Sequence, residues 1–157
     1  MPTITPFLWF DDRAEEAAQF YTTVIPNSSI TNVVRQGAVG HGTEGSVLTV
    51  DFELNGQHFV ALNGGPMYAF TEAVSFVIPC ATQEEVDHYW ETLSEGGEEG
   101  PCGWLKDRYG LSWQVVPTVL QELLSDSDPG RSQRAMKAMT GMKKIEIEGL
   151  RKAADGE

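Results

Sequence analysis

Apolar and polar residues follow two rhythms along this chain, and the rhythms change places in a fixed order. Residues 4–10 (ITPFLWF) are β-branched and aromatic and predict a strand. Asp12 stands three residues before Glu15, which predicts a helix N-cap. Ala14, Ala17, Ala18, Tyr21, Val24 and Ile25 then recur at helical spacing until Pro26 stops the helix. Residues 29–36 predict a second strand, and residues 37–45, which hold His41, a glycine-rich loop. Residues 46–54 and 57–63 predict a hairpin turned by Asn55-Gly56, a pair that accepts the positive φ of a tight turn.

After residue 70 the plan restarts. Residues 74–79 predict a strand. Thr82 and Glu85 predict a capping box, and Val86, Tyr89, Trp90 and Leu93 mark a helix that Gly96-Gly97 terminates. Residues 102–106 and 111–117 flank the turn Asp107-Arg108-Tyr109-Gly110. Thr5 precedes Phe20 by 15 residues and Ser75 precedes Trp90 by 15, so the halves share a register with a period of 70. The expected class is therefore α+β, with two βαβββ repeats over residues 1–70 and 71–120 and the second one trimmed. Residues 121–157 predict a helical tail. In it, Ala135, Met136 and Met139 suit one short helix broken at Gly141, and Ile145, Ile147 and Leu150 form a further apolar edge.

Composition narrows the function classes. Apolar residues make up 41% of the 157, enough for a core in one compact domain. No apolar run approaches the ~20 residues that a membrane span needs. The opening residues lack a basic region followed by an apolar stretch, so no signal peptide is expected. Two cysteines, Cys80 and Cys102, form no disulfide framework and suit a reducing, cytoplasmic setting. Through residue 130 the chain has 19 Asp/Glu against four Lys/Arg, and from Arg131 on it has seven Lys/Arg against four Asp/Glu. Such an acidic body repels nucleic acid. The basic, methionine-bearing tail is expected to pack on the body or on a second subunit.

Two βαβββ halves resemble the vicinal-oxygen-chelate superfamily, which includes glyoxalase I, extradiol dioxygenases and fosfomycin-resistance proteins. More narrowly, PFLWFDDRAEEAAQFY, CGWLKDRYGLSWQVVP and AMTGMKKIEIEGL resemble the PhnB-like family, often named 3-demethylubiquinone-9 3-methyltransferase. The resemblance implies a glyoxalase/bleomycin-resistance/dihydroxybiphenyl-dioxygenase-like fold, with curved sheets that each enclose half of a cleft, usually in a homodimer. It also implies metal ligands on the first and last strand of each half. The matching positions here are Thr5, Asn63, Ser75 and Gln114, whose neutral oxygens supply neither charge nor nitrogen donors, so no metal and no cofactor is expected.

Alternation with period 2 then gives an expected cleft lining. It puts Thr5, Phe7 and Trp9 on one face with Phe59, Ala61, Asn63, Phe52 and Val50, and it puts Ser75 and Val77 with Ser112, Gln114 and Val116. An apolar pocket with a few neutral polar groups suits a small organic ligand. The alternatives are a metal-dependent lyase or dioxygenase, and a dimeric interaction module with a vestigial cleft. His41, His58 and His88 show no ligand spacing, and no motif marks either cysteine as a nucleophile. The methyltransferase activity in the family's name is not expected. Of the two glycine pairs, LNGGPMYAF leads into no helix and SEGGEEG follows one, so neither forms the strand-to-helix turn that cradles such cofactors.

Overall fold

A computed structural model describes residues 1–40 and 42–157; His41 lies outside the described residues. The chain forms two compact units, Met1–Phe70 and Thr71–Glu157.

The first unit runs β1 (Phe7–Phe10), α1 (Ala14–Val24), β2 (Ser28–Arg35), β3 (Val47–Leu54) and β4 (Gln57–Asn63). Its sheet has the order β1-β4-β3-β2, parallel between β1 and β4 and antiparallel elsewhere. The first strand starts at Phe7 rather than residue 4. Pro6 has no N–H to give a ladder, although its carbonyl still accepts the Val60 amide at 3.0 Å. Thr5 therefore precedes the strand. The expected Asp12 cap is also absent. Arg13 takes the N-cap position without a side-chain cap, and Asn63 Oδ1, at the end of β4, accepts the Ala14 N–H at 2.8 Å. Asn63 Nδ2 donates to Val47 O at 3.1 Å, so one amide ties the helix start to two strands.

Helix α1 buries Ala14, Ala17, Ala18, Tyr21 and Val24. The small alanines let its axis lie close to the sheet, while Tyr21 meets Phe52 and Phe52 stacks on Phe59 at 5.4 Å. Fully burying one such aromatic contributes roughly 1.5–3 kcal/mol.

The second unit runs β5 (Ser75–Cys80), α2 (Gln83–Ser94), β6 (Glu98–Glu99), β7 (Trp104–Lys106), β8 (Ser112–Pro117), α3 (Thr118–Leu124), α4 (Pro129–Thr140) and α5 (Ile147–Asp155). Its sheet order, β5-β8-β7-β6, repeats that of the first unit. Thr82 caps α2 by accepting the Glu85 amide at 3.2 Å, and Glu85 reaches back to the Ala81 N–H at 3.0 Å. The turn between β7 and β8 is built on buried Asp107. Its Oδ1 accepts the Tyr109 and Leu111 amides, and its Oδ2 accepts the Trp113 indole N–H at 2.9 Å. A buried carboxylate with several donors is compensated where an isolated one would be costly.

The tail docks inside its own unit. Leu120, Leu123, Ala135, Ile145, Leu150 and Ala154 form a buried cluster. Cys102 and Gly103 donate to the carbonyls of Met142 and Lys143, each at 2.8 Å. Gln83 accepts the Ile147 amide at 2.7 Å and donates to Ile145 O at 3.1 Å, so the second helix holds the tail with one side-chain amide. Helix α3 is the tail element that hydropathy spacing alone does not separate from its neighbours. Among the described residues no helix is long and apolar enough to cross a membrane.

Candidate functional site

Strand pairing fixes which side chains share a face. In the second sheet Ser75 pairs Ser112, Val77 pairs Gln114, Gln114 pairs Trp104, and Ser112 pairs Lys106, which in turn pairs Glu98. These residues lie on the face away from α2, because α2 covers the opposite one. There Leu105, Trp113 and Val115 are buried, and the Trp90 indole donates to Glu99 Oε1 at 3.2 Å. The expected grouping of Ser75, Val77, Ser112, Gln114 and Val116 is thus one face of one sheet.

On that face Gln114 Nε2 donates to Ser75 Oγ at 2.9 Å. Ser112 is fully buried, and among the described residues its Oγ is the buried side-chain oxygen with no hydrogen-bond partner. It lies on the wall of a cavity of about 400 Å3, together with Trp104, Leu105, Lys106, Cys102 and Glu72. Lys106 forms an ion pair with Glu72 and approaches Glu98 at 3.9 Å. The hydrogen bond from Lys106 lowers the Glu72 pKa, and the same bond raises that of Lys106, so the pair stays charged. Lys106, Glu72, Glu98 and Trp104 were not among the expected site residues. Alternation outward from Gln114 through the short β7 strand carries the signal for two of them, Trp104 and Lys106.

The first sheet corrects the expected lining. Phe7 pairs Val60 and Trp9 pairs Leu62, so Phe7 and Trp9 share a face with Val60 and Leu62. Phe59, Ala61 and Asn63 point to the other side with Val50 and Phe52, beneath α1. Period 2 holds within each strand; the phase of β1 against β4 differs by one residue from the expected one. Phe59 is therefore a core residue, Asn63 caps α1, and Thr5 lies outside the strand. Trp9 is held by its indole donating to Gly65 O at 2.9 Å, and its ring occupies the space a Cβ on Gly64 would need. On the same face as Phe7 and Trp9, His58 Nε2 stands 3.3 Å from Asp51 Oδ1.

The metal that the superfamily implies does not fit this donor set. Ser75 and Gln114 are hydrogen-bonded to each other, Asn63 is engaged with Ala14 and Val47, and Thr5 is off the sheet. Among the described residues no group of three or more His, Cys, Asp or Glu side chains is placed to hold a metal ion. His88 is exposed on α2. Burial, and secondarily Glu85, pushes the Cys80 thiol up to about 11, so it is an inert structural thiol.

Comparison with known proteins places this arrangement. A family model described as 3-demethylubiquinone-9 3-methyltransferase matches residues 2–116. The chain belongs to this PhnB-like family. A solved structure of a putative 3-demethylubiquinone-9 3-methyltransferase, PhnB protein, from Bacillus cereus shares 36% identity with a TM-score of 0.67, over 74% of this chain and 100% of that one. Protein PA1353 from Pseudomonas aeruginosa shares 17% identity with a TM-score of 0.63, over 74% of this chain and 98% of its own. The fosfomycin resistance protein FosX from Listeria monocytogenes shares 17% identity with a TM-score of 0.57, over 80% and 98%. The last two show a common fold and no more. None of the curated proteins matches. The PhnB-like protein thus has the α+β fold of the glyoxalase superfamily, two mixed four-stranded sheets with helices. Its tail lies beyond the family match. Neither of the two glycine pairs among the described residues forms the strand-to-helix turn of a methyltransferase cofactor cradle. Gly64-Gly65 follows β4 into irregular backbone with Trp9 packed against it, and Gly96-Gly97 follows α2.

Proposed function

We propose that this PhnB-like protein binds a small organic ligand, without a transition metal, on the open face of the second sheet. Ser112, Gln114 and Ser75 supply the polar contacts there. The supporting observation is Ser112, a residue on the wall of a cavity of about 400 Å3 whose buried Oγ has no partner among the described residues. A buried hydroxyl without a partner costs about 1–3 kcal/mol, and a ligand's polar atom would remove that cost. The apolar parts of Trp104 and Cys102 suit the ligand's carbon skeleton. Phe7 and Trp9 belong to the first unit and form part of the proposal only as an apolar face. Homodimer assembly and a cytoplasmic location are also proposed. Exposed Phe7, Met67 and Tyr68 support the first, and the free thiols of Cys80 and Cys102 support the second.

A set of small aromatic fragments, tested by thermal unfolding, addresses the reading. A ligand that prefers the native state raises Tm saturably. Such shifts are expected for the wild type and reduced in Ser112→Ala, with none for S-adenosylmethionine. A saturable shift with S-adenosylmethionine would restore the methyltransferase reading.

A further inference from the structure

The charges around the cavity are unbalanced. Its walls include Glu72, Glu98 and Glu99 against one cation, Lys106. Lys106 is already committed to Glu72 and lies 3.9 Å from Glu98, while Glu99 accepts the Trp90 indole. The ammonium is therefore not free to receive an anion, and Glu98, with a side chain 76% exposed, stands at the rim without full compensation. An incoming carboxylate or phosphate meets two glutamates, Glu72 and Glu98, beside the one lysine, on a chain of net charge −12.

We infer that the second-unit cavity selects an amphiphilic cation, an amine carried on an apolar or aromatic skeleton, over a matched anion. The inference rests on the ligand-binding reading above and adds the ligand's charge. The ammonium sits between Glu98 and Glu72, completing two carboxylates with two cations. The skeleton lies along Trp104, whose half-buried indole also attracts cations through its ring face. The Ser112 hydroxyl, which has no partner among the described residues, takes the ligand's hydrogen-bonding atom. The depressed pKa of Glu72 keeps its carboxylate ionised through the neutral range.

The test uses three probes that differ in charge and little else: phenethylamine, 2-phenylethanol and 3-phenylpropionate. Calorimetric titration into the full chain gives their affinities at low and raised ionic strength. The expected order is amine, alcohol, carboxylate, with the amine about tenfold tighter than the carboxylate at low salt and the gap narrowing as salt screens the rim. Glu98→Gln, an exposed and isosteric change, is expected to remove most of that gap and leave the alcohol unaffected. Binding with no order, or with the carboxylate tightest, overturns the charge inference alone. Binding of none of the three, or binding that Ser112→Ala does not alter, overturns the site reading along with it.

Discussion

Gln114 donates its side-chain amide to Ser75 Oγ at 2.9 Å, joining the last strand of the second sheet to the first. The two side chains are engaged with each other, in a neutral hydrogen bond between parallel strands. Ser75→Ala is expected to cost about 1 kcal/mol in denaturant unfolding, because it leaves a half-buried amide unpaired. Ser75→Ala with Gln114→Leu removes both partners and is expected to recover part of that loss. A double variant as unstable as the sum of the two single changes would show that the pair is not coupled.

Asn63 and Asp12 compete for one role, and the structure assigns it to Asn63. Asn63→Ala is expected to cost about 1–2 kcal/mol, the range for losing a helix cap together with a second hydrogen bond. Asp12→Ala is expected to stay within about 0.5 kcal/mol. Equal losses in the two variants, read from urea midpoints, would return the cap to Asp12.

The same two residues show how far the sequence could be read. Both helices, the Asn55-Gly56 hairpin and the repeat of 70 follow from local periodicity and turn chemistry, which a single chain displays directly. The grouping of Ser75 with Ser112 and Gln114 also follows, since β5 and β8 pair as the repeat requires. The phase of β1 against β4 was not legible. A parallel pair has no turn to fix its register, and a one-residue slip moved Phe59 and Asn63 to the helix side. A cap supplied from 49 residues away leaves no local trace either. Lys106 and Glu72 meet only through folding, because Glu72 precedes the strand that frames it.

The tail is structural. Ile145 is fully buried in its cluster, and Ile145→Ala is expected to cost about 2–5 kcal/mol. Lys144 pairs Asp87 at 2.8 Å, and Arg131 bridges Asp126 and Asp155, but such partly exposed pairs contribute only ~0–1 kcal/mol each. Deleting residues 131–157 is therefore expected to lower Tm markedly, while raised salt alone leaves the tail in place. An unchanged Tm in the truncated chain would contradict this.

Cys80 gives a pH prediction. An unfolded thiol loses its proton near 9.0, whereas burial, with Glu85 second, keeps the Cys80 proton to about 11. Between those values the folded state binds more protons, so stability falls as pH rises through that window. In the native protein Cys102, which is half-buried, is expected to react with iodoacetamide at mildly alkaline pH and Cys80 only after denaturant is added. Peptide mass analysis that finds Cys80 alkylated first would overturn the assignment.

The most direct measurement is an amide NMR titration of chelator-treated protein with phenethylamine and 2-phenylethanol. Saturable shifts are expected, centred on the Ser112 and Gln114 amides and the Trp104 indole N–H and unchanged when Zn, Ni, Mn or Fe is added back. Shifts centred elsewhere, no shifts at all, or shifts that appear only with added metal would contradict the proposed ligand site.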